Sequence, residues 1–278
     1  MALFKHIMDL KRAALAKLSD KRKAKRYAVG PMFPLKATII LPDLDQMGRR
    51  GKEAKQVESG RDWSGVPVNI SESGLSMQLP PAAVSTRGQS TVVALALDGH
   101  RIEFPCTVAH FRVHSASAFC GLKLDMKDLN QRKSYLQLVK IVAMGSTFDA
   151  VKNPGNVKKG EGQTVEQYKS DHNAVLTVWR DRSTGKVDSF ELVMNDDHCV
   201  RGVVGRANLE IFSSAKDSEK MAWSVSGFGA SAGVENPEVR LLYRWVTFNL
   251  PKAIPADVRD AMRLFTVSRA DWKAPSRK

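Results

Sequence analysis

Ser64-Gly65-Val66-Pro67-Val68-Asn69-Ile70 and Gly74-Leu75-Ser76-Met77-Gln78-Leu79, separated only by Ser71-Glu72-Ser73, decide how this chain folds. In the first run Val66, Val68 and Ile70 alternate with other residues, and in the second Leu75, Met77 and Leu79 alternate with Ser76 and Gln78. A period of two puts the apolar residues of each run on one face, so both read as short strands over a core, with a polar turn between them.

Working outward, the same pattern recurs. Leu35 to Leu41 reads as a strand stopped by Pro42, and Thr91 to Leu97, Ile102 to Phe111 and Ala118 to Leu124 supply further strands. Asp98-Gly99 between two of them is a strong hairpin signal. Closely spaced short strands with turn residues between them predict a small antiparallel barrel or sandwich. Leu129 to Ala143 follows as a helix whose Tyr135, Leu138, Val139 and Val142 form an apolar stripe fit to close one end of it.

At 278 residues the chain has room for a second core. The Gly-, Lys- and Asn-rich stretch Lys152 to Gly162 marks the boundary. Beyond it, strand-like runs lie at Ala174 to Arg180, Val187 to Met194, Val200 to Phe212, Met221 to Ser226 and Val239 to Phe248, and a helix follows Pro255 from Ala256 to Phe265. The expected organisation is an N-terminal helix over 1–20, a barrel domain over 21–148, a linker over 149–163, and a strand-rich α+β domain over 164–278. The fold class is therefore mainly β.

The N-terminal helix carries Leu3, Phe4, Ile7, Met8, Ala14, Leu15 and Leu18 at helical spacing among lysines and arginines. It would serve as a lid, a partner-docking helix or a contact to a membrane surface, although packing on the protein's own body explains it as well. Lys21-Arg22-Lys23-Ala24-Lys25-Arg26-Tyr27 follows, with five cations in seven residues. Asp43 to Arg61 is polar throughout and reads as a long loop.

A formal net charge of +14 favours an anionic partner. Three scattered cysteines, none in a C-x-x-C pair, give neither a disulfide framework nor a thiolate metal site. No window approaches the roughly eighteen apolar residues of a membrane span, and the first residues lack the apolar core of a secretory signal. The expected location is the cytoplasm, with peripheral contact at the inner membrane compatible with the basic helix.

Two motifs become informative together. Arg22 and Arg26 form R-x-x-x-R ahead of the first strand, and Asn69-Ile70-Ser71-Glu72-Ser73-Gly74 forms [D/N]-x-S-x-x-G between the next two. This pair, in this order and strand context, resembles the PilZ domain, the bacterial receptor module for cyclic di-GMP, over roughly residues 21–144. The resemblance implies that Arg22 and Arg26 wrap the ligand from a flexible segment. It also implies that Asn69 and Ser71 hydrogen-bond guanine edges or phosphate, that Gly74 lets the backbone turn and approach closely, and that Lys21 and Lys25 add supporting charge.

The ligand's chemistry agrees with those residue types. A cyclic dinucleotide is a dianion with two purines, and a guanidinium can fork to phosphate oxygens or guanine O6/N7 and can stack on a base, whereas an ammonium supplies charge alone. Asn69 stands where many relatives carry Asp; it keeps one acceptor and exchanges the other for a donor, so it holds the guanine N1–H and N2–H pair less well than a carboxylate does.

The expected function is a cyclic di-GMP receptor that couples ligand binding to a conformational or partner-binding output in motility, exopolysaccharide or biofilm control. It uses no cofactor and no metal, and its protein partner meets the C-terminal domain or the N-terminal helix. The alternative is a basic β-protein that binds nucleic acid, but the basic run contains only Tyr27 as a stacking residue. An enzyme is not expected. Gly229 to Gly233 spells G-x-S-x-G, yet Val234-Glu235-Asn236-Pro237 interrupts the helix a nucleophile elbow needs, and no histidine follows His198. His110 and His114 lack the glutamate of a zincin helix, and Asp196-Asp197-His198-Cys199 reads as a polar turn. Arg240 and Arg244 repeat R-x-x-x-R within an apparent strand and have no partner motif after them.

Overall fold

The computed structural model describes residues 24–41, 60–154, 157–194, 198–206, 208–213, 229–230 and 236–266. The expected N-terminal helix, Lys21, Arg22, residues 43–59 of the expected long loop and the strand at Met221 to Ser226 lie outside the described residues.

Strands β1 (Tyr27–Ala28), β2 (Leu35–Leu41), β3 (Arg61–Ser71), β4 (Gly74–Leu79), β5 (Ser90–Leu97), β6 (His100–Val113) and β7 (Ala118–Leu124) form one antiparallel sheet. Neighbours run β3-β2-β5-β6-β7-β4, and a further β3–β4 pairing closes six strands into a barrel. β3 makes this closure possible by its length: its first half pairs with β2, from Ala37↔Gly65 to Leu41↔Arg61, and its second half with β4, from Val66↔Gln78 to Ser71↔Gly74. Alternation works as the sequence implies in β2 but not throughout β3, where Val66 is exposed and Pro67 buried ahead of an irregularity between Pro67 and Asn69. In β2, Leu35, Ala37, Ile39 and Leu41 point into the core while Lys36, Thr38 and Ile40 do not. The hairpin turn is Asp98-Gly99, with φ of 45° and 88°, the left-handed pair that lets a two-residue loop follow the strand twist.

Helix α1 (Leu129–Ser146) starts on Asp128, whose side chain accepts from Gln131 N at 2.8 Å. Tyr135, Leu138, Val139 and Val142 plug the barrel, beside Phe104, Val108 and Leu122. Its last turn serves a different core. Met144 and the following Phe148 pack with Leu176, Phe190, Leu192 and Tyr243.

The second sheet begins immediately after α1. β8 (Asp149–Ala150), β9 (Gln163–Lys169), β10 (Val175–Asp181), β11 (Val187–Met194), β12 (His198–Val203), β13 (Leu209–Ser213) and β14 (Gly229–Ala230) lie side by side in chain order. The Val200 to Phe212 run is thus two strands, turned at Gly205 with φ of 90°.

Val239 to Phe248 is not a strand. It belongs to helix α2 (Pro237–Phe248), which packs on the second sheet with helix α3 (Ala256–Arg263). Branched and aromatic side chains give the stretch its strand-like composition, but Val239, Leu242, Tyr243 and Val246 stand at i, i+3, i+4 and i+7. Asn236 caps the helix by accepting from Glu238 N and Val239 N, both at 3.1 Å, and Pro237 fits the first helical turn, where its missing N–H is not needed. Arg240 and Arg244 consequently lie one helical turn apart; Arg244 sits over the Phe248 ring at 5.5 Å and 3.8 Å from Asp98.

The two halves meet through α1 and α2. Trp245 Nε1 donates to Asp98 at 2.7 Å, tying α2 to the β5–β6 turn. Asn249, 2% exposed, accepts from Gly30 N at 2.6 Å and donates to Val142 O at 2.7 Å and Ala28 O at 3.3 Å. Gly145 makes room for it, since a Cβ there would lie 2.7 Å from that of Asn249. Asn249→Ala removes three hydrogen bonds at this junction and leaves Gly30 N without its acceptor, a change worth about 1–3 kcal/mol. Urea unfolding is expected to report a loss of that size, far beyond the few tenths typical of an exposed asparagine.

Candidate ligand-binding site

The Asn69-to-Gly74 motif occupies the end of β3, a tight turn and the start of β4. A β-bulge between Pro67 and Asn69 precedes it, and β1 pairs with the opposite edge of β3 in the register Tyr27↔Ile70 and Ala28↔Asn69. Val29 N extends this pairing to Val68 O at 2.9 Å. Arg26, one residue before β1, is therefore delivered alongside Ser71. β1 is short and was not legible in the sequence, where Tyr27 reads only as the end of a basic run.

Arg26, Asn69, Ser71 and Gly74 line one open cleft of about 170 Å³. The opposite wall is Ala109 and His110 of β6 with Gly121, Leu122 and Lys123 of β7. Of the residues expected to bind, the structure brings these four together, whereas Lys25 turns away to Asp171. Arg22 and Lys21 lie outside the described residues.

Each motif residue has a definable local task. The Ser71 hydroxyl donates to Gly74 O at 3.1 Å, which holds the turn and leaves the oxygen's lone pairs as acceptors toward the cleft. Gly74 does not adopt a left-handed conformation. Its need is space, because a Cβ there would run into the Leu122 carbonyl of β7, where Gly74 pairs with Lys123.

Tyr135 of α1 supports the turn from below. Its hydroxyl lies 2.9 Å from both the Ser71 and Gly74 carbonyl oxygens, its ring packs edge-on to Phe104 at 5.3 Å, and burial pushes its pKa well up, keeping the proton in place. Sequence reasoning recognised Tyr135 only as part of an apolar stripe. A tyrosine in place of a fourth aliphatic residue was the available signal, since a buried hydroxyl needs a partner.

Charge is arranged around the rim. Arg26 and Lys123 are exposed and have no ion-pair partner among the described residues. On either side of Arg26 the chain is fastened to the second sheet. Lys25 forms an ion pair with Asp171, which raises the lysine's pKa, and the Tyr27 hydroxyl lies 3.1 Å from His172 Nε2 with the two rings edge-on at 5.3 Å. Among the described residues no group of histidine, cysteine or carboxylate side chains could hold a metal ion, and no helix is long and apolar enough to cross a membrane.

A family model for the PilZ domain matches residues 20–140. The matched part is a six-stranded antiparallel barrel, closed by a helix, with Arg26 and the Asn69-to-Gly74 turn at its rim. Among solved structures, the PilZ domain with c-di-GMP of YcgR from Escherichia coli is similar at a TM-score of 0.33 and 8% identity, over 43% of this chain and 89% of that one. No curated protein matches the chain.

Two predictions arise from this geometry. Tyr135→Phe keeps the ring but removes the donor shared by Ser71 and Gly74, so thermal or urea unfolding is expected to register a loss of about 1–2 kcal/mol. The second concerns pH. Partial burial, with Lys25 and Lys140 adding to it and Asp171 and Glu72 opposing, lowers the His172 pKa from 6.5. The folded protein thus prefers the neutral ring, so this contribution is complete above about pH 6.5 and fades as pH falls through the lowered folded value. Wild-type protein is expected to lose more stability than His172→Gln as pH is lowered from about 7.5 to about 5; parallel urea titrations would reveal equal losses if the ring were not involved.

Proposed function

We propose that this chain is a cyclic di-GMP receptor that binds the ligand in the Arg26/Asn69/Ser71/Gly74 cleft and passes the event to its second half. The observation that carries this reading is the β1–β3 register, which sets Arg26 beside the Asn69-to-Gly74 turn within one cleft. A cleft of about 170 Å³ is smaller than the roughly 300–1,000 Å³ of sites that engulf a whole small molecule. It takes one base or one phosphate-ribose corner, and the rest of the dinucleotide lies outside, where Arg22 and Arg26 would close over it. Asn69 and Ser71 supply hydrogen bonds to a guanine edge, Arg26 forks to phosphate or stacks, and Lys21 adds to the field. The ligand is bound and released unchanged.

Coupling follows from what flanks Arg26. An exposed ion pair such as Lys25–Asp171 is worth only about 0–1 kcal/mol, and the Tyr27–His172 contact is comparably light. A ligand that draws Arg26 across the cleft can therefore shift these ties without unfolding anything, biasing a two-state arrangement of the N-terminal segment against the second half. In this reading residues 164–278, with residues 1–20, form the output surface for a protein partner in motility, exopolysaccharide or biofilm control. The site of action is the cytoplasm or the cytoplasmic face of the inner membrane.

Calorimetric titration with cyclic di-GMP, GTP and a short oligonucleotide at two salt concentrations tests the proposal. Saturable binding of cyclic di-GMP alone is expected, and Arg22→Ala or Arg26→Ala should each weaken it by about 1–3 kcal/mol, with Ser71→Ala weakening it less. Oligonucleotide binding with a steep salt slope and no response to the cyclic dinucleotide would instead assign the protein to nucleic-acid binding.

A further inference from the structure

The wall facing the motif is built as deliberately as the motif itself. β6 and β7 run in register to Val108↔Leu122 and resume at His110↔Gly121, so Ala109 is an extra residue, a β-bulge at the edge of the cleft. Bulges of this kind re-aim the next side chain. Here the next side chain is His110, and its ring lies across Gly121 so closely that a Cβ at that position would fall among the ring atoms. Only glycine at 121 lets the imidazole rest flat on the neighbouring strand while lining the cleft. Lys123 stands two residues further along β7, opposite Gly74, with its ammonium exposed and without an ion-pair partner among the described residues.

We propose that His110 and Lys123 are further ligand-binding residues: the His110 ring is the surface on which a purine of the bound nucleotide stacks, and Lys123 is a phosphate anchor facing Arg26 across the cleft. This rests on the receptor reading above and deepens it. The motif side offers hydrogen-bonding groups but no flat apolar face, and a purine gains most from a π-surface held in place in advance. The bulge and Gly121 hold the imidazole in that way. A dianion also gains from cations on both rims, and Lys123 provides the one on the far side from Arg26.

The experiment is calorimetry of the full chain with cyclic di-GMP, together with thermal unfolding of each variant. His110→Ala is expected to weaken binding about tenfold, and His110→Phe, which keeps a flat ring, to stay within about threefold of wild type. Gly121→Ala, which leaves His110 present but displaces its ring, should match His110→Ala. Lys123→Ala, an exposed substitution that leaves the melting temperature unchanged, should weaken binding about fivefold and make the affinity less sensitive to salt. If wild type binds and both His110→Ala and Lys123→Ala bind as wild type does, the inference is overturned while the receptor reading stands; His110→Phe binding as weakly as His110→Ala overturns the stacking role. If wild type itself fails to bind, the receptor reading falls and takes this inference with it.

Discussion

One buried amide holds the two halves of this molecule in register. Asn249 follows the last residue of α2, yet its side chain satisfies the backbone of the segment after β1 and of α1. Gly30 N lies in the loop after β1, and Val142 O, one position ahead of the last four carbonyls of α1, accepts the amide with a second lone pair. A single amide with one acceptor and two donors meets this demand, and an aliphatic residue of similar size could not. Space for it is reserved by glycine at 30 and 145, where a Cβ would crowd the Asn249 amide or its neighbours. Because β1 is held in this way, the residue before it is held as well, and the position of Arg26 depends on an asparagine more than two hundred residues downstream.

Much of the barrel was legible because its strands obey local rules. β4, β7 and β11 occupy the residue ranges that alternation and turn signals define, and Asp98-Gly99 turns as its chemistry requires. The barrel class follows from the same signals, since half-buried strands must close on a core. α2 was misread because composition was weighed above spacing. Val239, Tyr243, Trp245 and Val246 favour strands in the abstract, but the i, i+3, i+4, i+7 pattern and the Asn236-Pro237 start were present and pointed to a helix. Tertiary context then settled the matter by giving α2 a sheet to cover.

The candidate site was legible on one side only. Asn69, Ser71 and Gly74 are contiguous and carry a recognisable spacing, and Arg26 carries half of another. His110, Gly121 and Lys123 carry none, because their relationship exists only across the β6–β7 pairing and depends on one inserted residue at Ala109. Tyr135 is similar, reaching the Ser71 turn across more than sixty residues of sequence. Of the two tasks expected of Gly74, turning and close approach, the structure requires the second, toward β7. Pairwise proximity of this kind leaves no periodic trace in a single chain.

Helix α1 carries a consequence of a different order. The PilZ match stops at residue 140, within a helix that runs on to Ser146 and places Met144 in the core of the second sheet. The matched module and the packed unit therefore do not share a boundary here. Cutting the chain where the family ends would sever a helix in its middle and remove Val142 from the plug of the barrel. The helix is a rod shared by two cores, so a rotation of it is felt in both at once.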